Sequence, residues 1–155
     1  MVVVSRGKNV LVLRMGGLYS VVMFLDVLHT ISYSGMGAFP SWTANHPTQF
    51  WILGRLIESS GLAVALLLPN KRKYNVGFFI AFLIAGALGT TLISFGYFPD
   101  CFVAGVGLTA FKIIAEYVVV VILESVFIFS RAILRIYNPT ENITFLHSFL
   151  LLPVR

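Results

Sequence analysis

Four apolar runs, each about 20 residues long, alternate with shorter polar stretches along this chain, and that is the length a helix needs to cross a bilayer. They cover roughly 15–33, 49–69, 76–97 and 111–131. Between them lie a polar but uncharged loop at 34–48, a short basic loop from Pro69 to Asn75, and a Gly-rich loop at 98–110. None has the period-two alternation of a lipid-facing strand. The pattern therefore predicts an all-α fold, a polytopic membrane bundle of about four transmembrane helices. The third run carries Ala81, Ala85 and Gly89 at i, i+4 and i+8, a small-residue stripe expected to be a packing face.

Composition sharpens this reading. Hydrophobic residues make up 58% of the 155 positions and charged residues 11%, against about 25% charged in soluble domains. Too few charges remain to cover a water-facing surface, so the chain is expected in the cell membrane as a multi-pass protein with the lipid bilayer as its first partner. The net charge of +5 does not point to nucleic acid, because the basic residues sit at the ends of apolar runs. Arg6, Lys8 and Arg14 precede the first run, Lys71, Arg72 and Lys73 fill the second loop, and Arg131 and Arg135 follow the fourth run. The positive-inside rule then places both termini in the cytoplasm and loops 34–48 and 98–110 outside. The single cysteine, Cys101, excludes an intramolecular disulfide and falls in an outer loop, where a membrane-impermeant maleimide is expected to reach it.

Three segments follow: a basic amino terminus at 1–14, the helical region at 15–131, and a tail at 132–155. Pro139 breaks the tail, and the apolar stretch 145–154 is about half the length of a span. Residues 34–48 hold Trp42, His46 and two prolines and suit a short lid at the outer interface.

The chemistry lies in the charges. Of six acidic residues, Asp26, Glu58, Glu116 and Glu124 fall inside apolar runs, together with Arg55. A carboxylate at the centre of a membrane helix costs about 2.5–3.5 kcal/mol, so each calls for a partner or a use. Asp26 and His29 share a helix face with Tyr33 one turn on, and Arg55 and Glu58 share another. Intrahelical pairing alone would account for each face. Counted by depth, however, Asp26, His29, Arg55, Glu58 and Glu116 fall in one layer and are expected to form a single polar network with Arg55 at its centre. Three carboxylates against one arginine leave an excess of negative charge in it. Glu124 is expected to face the bundle. No nucleophile, base and orienting group fall together, and no hydrolase or transferase signature is present, so the chain is not expected to be an enzyme.

Several blocks carry a resemblance. Leu25-Asp26-Val-Leu-His29-Thr30, Gly35-Met36-Gly37-Ala-Phe39-Pro40, Thr48-Gln49-Phe-Trp51 and Arg55-Leu-Ile-Glu58 look like the third membrane-associated sensor family. So does Phe98-Pro99-Asp100-Cys101-Phe102, with the Gly105-Val-Gly107-Leu-Thr109 that follows it. The resemblance covers about residues 20–131. It implies a membrane input module of a prokaryotic signalling protein, of the kind that precedes PAS, histidine kinase or diguanylate cyclase output. Members of that family look longer, so the chain resembles a truncated or solitary copy lacking its output domain, with 145–154 as the stub of a further helix.

The leading expectation is thus a sensory module whose polar layer detects an unknown small ligand, with a second copy of the chain or a signalling output protein as a further partner. The runner-up is a small membrane protein binding haem or a metal through His29. A solute or proton carrier ranks third, since no internal inverted repeat is visible. The cofactor and the stimulus stay open.

Overall fold

The computed structural model describes residues 2–69, 71 and 73–137. Four long helices carry it: α1 (Val2–Ile31), α2 (Asn45–Leu67), α3 (Lys73–Ser94) and α4 (Ala110–Tyr137). All four are long and apolar enough to cross a membrane, over Val10–Ile31, Asn45–Leu67, Lys73–Ser94 and Ala110–Ile133. α1 runs unbroken through the position where the basic amino terminus was expected to give way to the first span. The stretch 145–154 lies outside the described residues.

Local sequence explains where the helices stop. Pro47 sits in the first turn of α2, where its missing N–H costs nothing. At the other end Leu68 is extended (ψ 136°), the conformation that the following Pro69 demands, and α2 ends there. α3 closes where Gly96 turns left-handed (φ 74°), with Tyr97 N–H on Leu92 O at 2.8 Å and Gly96 N–H on Ile93 O at 3.1 Å. Thr109 starts α4, its Oγ1 accepting Lys112 N–H at 3.3 Å while its hydroxyl donates to Asp100 O at 2.6 Å.

α2 is the centre of the bundle: it packs against α1, α3 and α4, and it is the most buried of the four. Leu18, Val21, Val22 and Leu25 of α1 interlock with Phe50, Leu53 and Ile57 of α2 and with Phe78 and Ile93 of α3. A second cluster, Ile52, Cys101 and Ala115, joins α2 to the α3–α4 loop and α4.

Two features depart from the expected pattern. The Gly-rich loop contains a small antiparallel hairpin, β1 (Phe102–Val103) paired with β2 (Gly107–Leu108), so the fold is mostly but not wholly helical. The packing face of α3 is rotated from the one expected. Ala81 and Ala85 are exposed, whereas Gly86 and Gly89 are buried. A Cβ on Gly86 would stand 2.9 Å from Val21 Cγ1, and one on Gly89 would stand 2.6 Å from Leu53 Cδ1. Only a bare backbone admits both neighbours.

Candidate functional site

On α2, Trp51, Arg55 and Glu58 recur at helical spacing, and Arg55 reaches from that stripe across to α1. Its Nη2 donates to Asp26 Oδ1 at 2.9 Å and to Oδ2 at 3.1 Å. Its Nη1 donates to Glu58 Oε2 at 2.6 Å. Arg55 Nε is buried with no partner among the described residues. The guanidinium thus spends its two terminal nitrogens on two carboxylates from two helices, a use that its planar fork suits and an ammonium would not. Asp26 lies five residues from the Ile31 end of α1, about 8 Å along the axis.

The trio lines a groove of about 600 Å³ between α1 and α2. Tyr19, Met23, Val27 and Ile31 of α1 give it apolar walls, and Asp26, Arg55 and Glu58 supply its charge. Asp26 keeps 47% of its side chain exposed, against 27% for Arg55 and 17% for Glu58. One carboxylate therefore faces the open groove while the other is tucked in beside the arginine.

The remaining residues of the expected layer pair elsewhere. Glu116 accepts Lys112 Nζ at 2.6 Å, an i, i+4 bridge within α4, and the same ammonium stands 5.0 Å from the Trp51 ring. His29 Nδ1 lies 2.7 Å from Pro47 O. A carbonyl only accepts, so Nδ1–H is the donor in this bond. The His29 ring meets Tyr33 edge-on at 5.2 Å. The expected single network is therefore three separate groupings, because Lys112 supplies Glu116 with a nearer cation than Arg55 and a backbone carbonyl claims His29. Glu124 is exposed on α4 and does not face the bundle. Among the described residues, no three His, Cys, Asp or Glu side chains gather as a metal set would.

Three anchoring residues escaped the sequence reading. Arg14 is buried, and it donates to Pro69 O at 2.6 Å, Leu68 O at 3.0 Å, Ala65 O at 3.2 Å and Asn75 Oδ1 at 2.9 Å. It is a cation capping the carbonyl end of α2. At the other end of the bundle, Asn45 Oδ1 accepts the Cys101 and Phe102 amides at 2.8 and 2.9 Å, and its Nδ2 donates to Asp100 Oδ1 at 2.8 Å. Gln49 Nε2 donates to Phe98 O and Pro99 O, both at 3.0 Å. Together they dock the hairpin loop on the start of α2. Trp42 lies between the rings of Phe39 and His46, at 4.0 and 4.8 Å, and completes a cover over that end.

The family model of a membrane-associated sensor domain, MASE3, matches residues 2–152. The chain belongs to the MASE3 family. No curated protein and no solved structure matches it significantly. The MASE3 match takes in all of α1 and extends well past the motif blocks at 20–131, so the basic amino-terminal stretch with Arg14 is part of the domain. With four candidate spans, this MASE3 domain is a multi-pass membrane protein.

Proposed function

We infer that the chain is the sensory input module of a prokaryotic signal-transduction protein, with both termini cytoplasmic, and that the Asp26–Arg55–Glu58 trio is where it responds. The observation that carries this reading is the Arg55 bridge between α1 and α2. It is an ion pair across two helices, open to a groove, in a domain of a sensor family. A charged pair at that depth is expensive unless it is matched, so anything that competes for Asp26 changes how α1 sits on α2. Lower on the same helix Arg14 ties α1 to the α2–α3 connection, which gives a displacement of α1 a route to the basic side of the bundle. The clusters around Arg14, Lys71 and Arg131 support the cytoplasmic placement of that side. His29, near the same end of α1, holds Pro47 O of α2, with Tyr33 edge-on to its ring. Glu116 braces Trp51 through Lys112.

The test is a fusion of the chain ahead of a diguanylate cyclase. Asp26→Asn and Arg55→Leu should each change cyclase output by about fivefold or more, at equal membrane levels, whereas Glu124→Gln should leave it unchanged. Output that ignores both Asp26→Asn and Arg55→Leu would remove the trio from signalling.

A further inference from the structure

The α1–α2 groove has a charge that its own residues do not balance. Asp26 and Glu58 bring two carboxylates to one guanidinium. With both carboxyls ionised, one negative charge is left over inside an apolar setting. Glu58 accepts from Arg55 on Oε2 and its carboxyl also lies within hydrogen-bond reach of the Tyr19 hydroxyl, while nearly half of Asp26 looks into the groove. Among the described residues the remaining ion pair, Lys112–Glu116, is balanced by itself.

We propose that this groove binds a monovalent amphiphilic ammonium, a single positive charge carried on an apolar body. The proposal rests on the sensor reading above and names its ligand class. Three properties select that chemistry. The leftover charge is one, which matches a monovalent cation and not a divalent one. Tyr19 stands in the wall with 44% of its surface exposed, an aromatic face of the kind on which ammonium groups settle. Met23 and Val27, 65% and 50% exposed, extend the wall as apolar surface for the ligand's body. An inorganic cation fits less well, because it needs several oxygen ligands and these walls offer few beyond the two carboxylates. An ammonium needs only one carboxylate and an aromatic face.

The cation would sit against Asp26 and Glu58 and compete with Arg55 for them. Its tail would run along Met23 and Val27 in the direction of the bilayer. Loosening Arg55 from Asp26 loosens α2 from α1, which is the motion the sensor reading needs. The ammonium has two sources, a free lipophilic cation or the headgroup of a choline lipid, and both present the same chemistry to Asp26.

The experiment uses the full chain in phosphatidylglycerol nanodiscs, with the thermal unfolding midpoint as readout. Dodecyltrimethylammonium should raise the midpoint saturably, because a ligand of the folded state stabilises it. Dodecanol, with the same chain and no charge, should not. Asp26→Asn should abolish the shift, Tyr19→Leu should raise the half-saturating concentration about fivefold, and Glu124→Gln should leave it as in the wild type. If Asp26→Asn does not fold, the Tyr19→Leu and dodecanol arms decide. In phosphatidylcholine nanodiscs, a midpoint already raised and insensitive to added cation identifies the headgroup as source, while an undiminished response identifies the free cation. Equal shifts with dodecanol, or a wild-type shift in Asp26→Asn or Tyr19→Leu, overturn the proposal. Absence of binding, with cyclase output in the fusion still dependent on Asp26, overturns the ligand alone. Binding without any effect on output overturns the sensor reading alone.

Discussion

Arg55 of α2 holds Asp26 of α1 through both carboxyl oxygens, at 2.9 and 3.1 Å, while its other terminal nitrogen holds Glu58 at 2.6 Å. The trio is asymmetric as a result. Removing the arginine leaves two carboxylates facing each other in an apolar groove, whereas removing Glu58 leaves a matched pair. Arg55→Leu should therefore cost about 1–3 kcal/mol, reduced from the full cost of a broken buried pair because the groups are partly exposed. Glu58→Gln should cost under about 1 kcal/mol. Thermal unfolding in nanodiscs checks the order, and a Glu58→Gln variant as weak as Arg55→Leu would contradict it.

Arg14 supports four acceptors at the end of α2 and the start of α3. Arg14→Leu should lower stability by about 1–3 kcal/mol, since it takes the side-chain donor from Ala65 O and Leu68 O, while Pro69 O keeps the Lys71 amide. Arg14→Lys should recover only part of that, because one ammonium cannot span the same set. Unfolding midpoints of the two variants make the comparison, and a silent Arg14→Leu would show that the carbonyls find other donors.

On α3 the close approach is at Gly86 and Gly89. Gly89→Ala should cost about 1–3 kcal/mol by pressing on Leu53. Ala85→Leu, on the exposed side, should stay within about 0.5 kcal/mol. The opposite ranking of the two variants in a stability assay would return the packing face to the Ala81–Ala85–Gly89 stripe.

Much of the fold was legible because a bilayer imposes a length, and four runs of that length stand out. The Arg55–Glu58 pair was legible for a similar reason, as i, i+3 spacing is a fixed geometry on a helix. Glu116 carries an equally plain signal, Lys112 at i−4, and that intrahelical cation outcompetes Arg55 despite their shared depth. The partners of Arg14 could not be seen, since they are backbone carbonyls and every residue has one. The α3 stripe was ambiguous by construction: 81/85/89 and 82/86/89 both satisfy helical spacing, and only Leu53 and Val21 decide between them. Strands of two residues, as in the hairpin, are too short to show alternation.

Cys101 corrects a further expectation. It is fully buried, and burial pushes its thiol up from 9.0 to about 11, with Lys112 acting the other way and Asp100 adding to the rise. A raised folded-state value means that the neutral thiol's contribution to stability is complete below pH 9.0 and is lost as pH rises through about 11. Maleimide labelling of Cys101 in intact cells should therefore be slow near neutral pH, whichever side the loop is on. The topology is better read at the hairpin tip, where Val106 is 82% exposed. In a Cys101→Ala background, Val106→Cys should label with an impermeant maleimide in intact cells, and labelling only after permeabilisation would invert the orientation.

The central claim is that Arg55 couples α1 to α2 through Asp26 and that this bridge, not a wider layer, is the site. A double-mutant cycle on unfolding free energy in nanodiscs measures it directly. Asp26→Asn and Arg55→Leu should show a coupling of about 1–2 kcal/mol, while Glu116→Gln and Arg55→Leu should be additive within about 0.5 kcal/mol. Additivity of Asp26→Asn with Arg55→Leu, with coupling confined to Glu58, would reduce the bridge to an intrahelical pair and contradict the account.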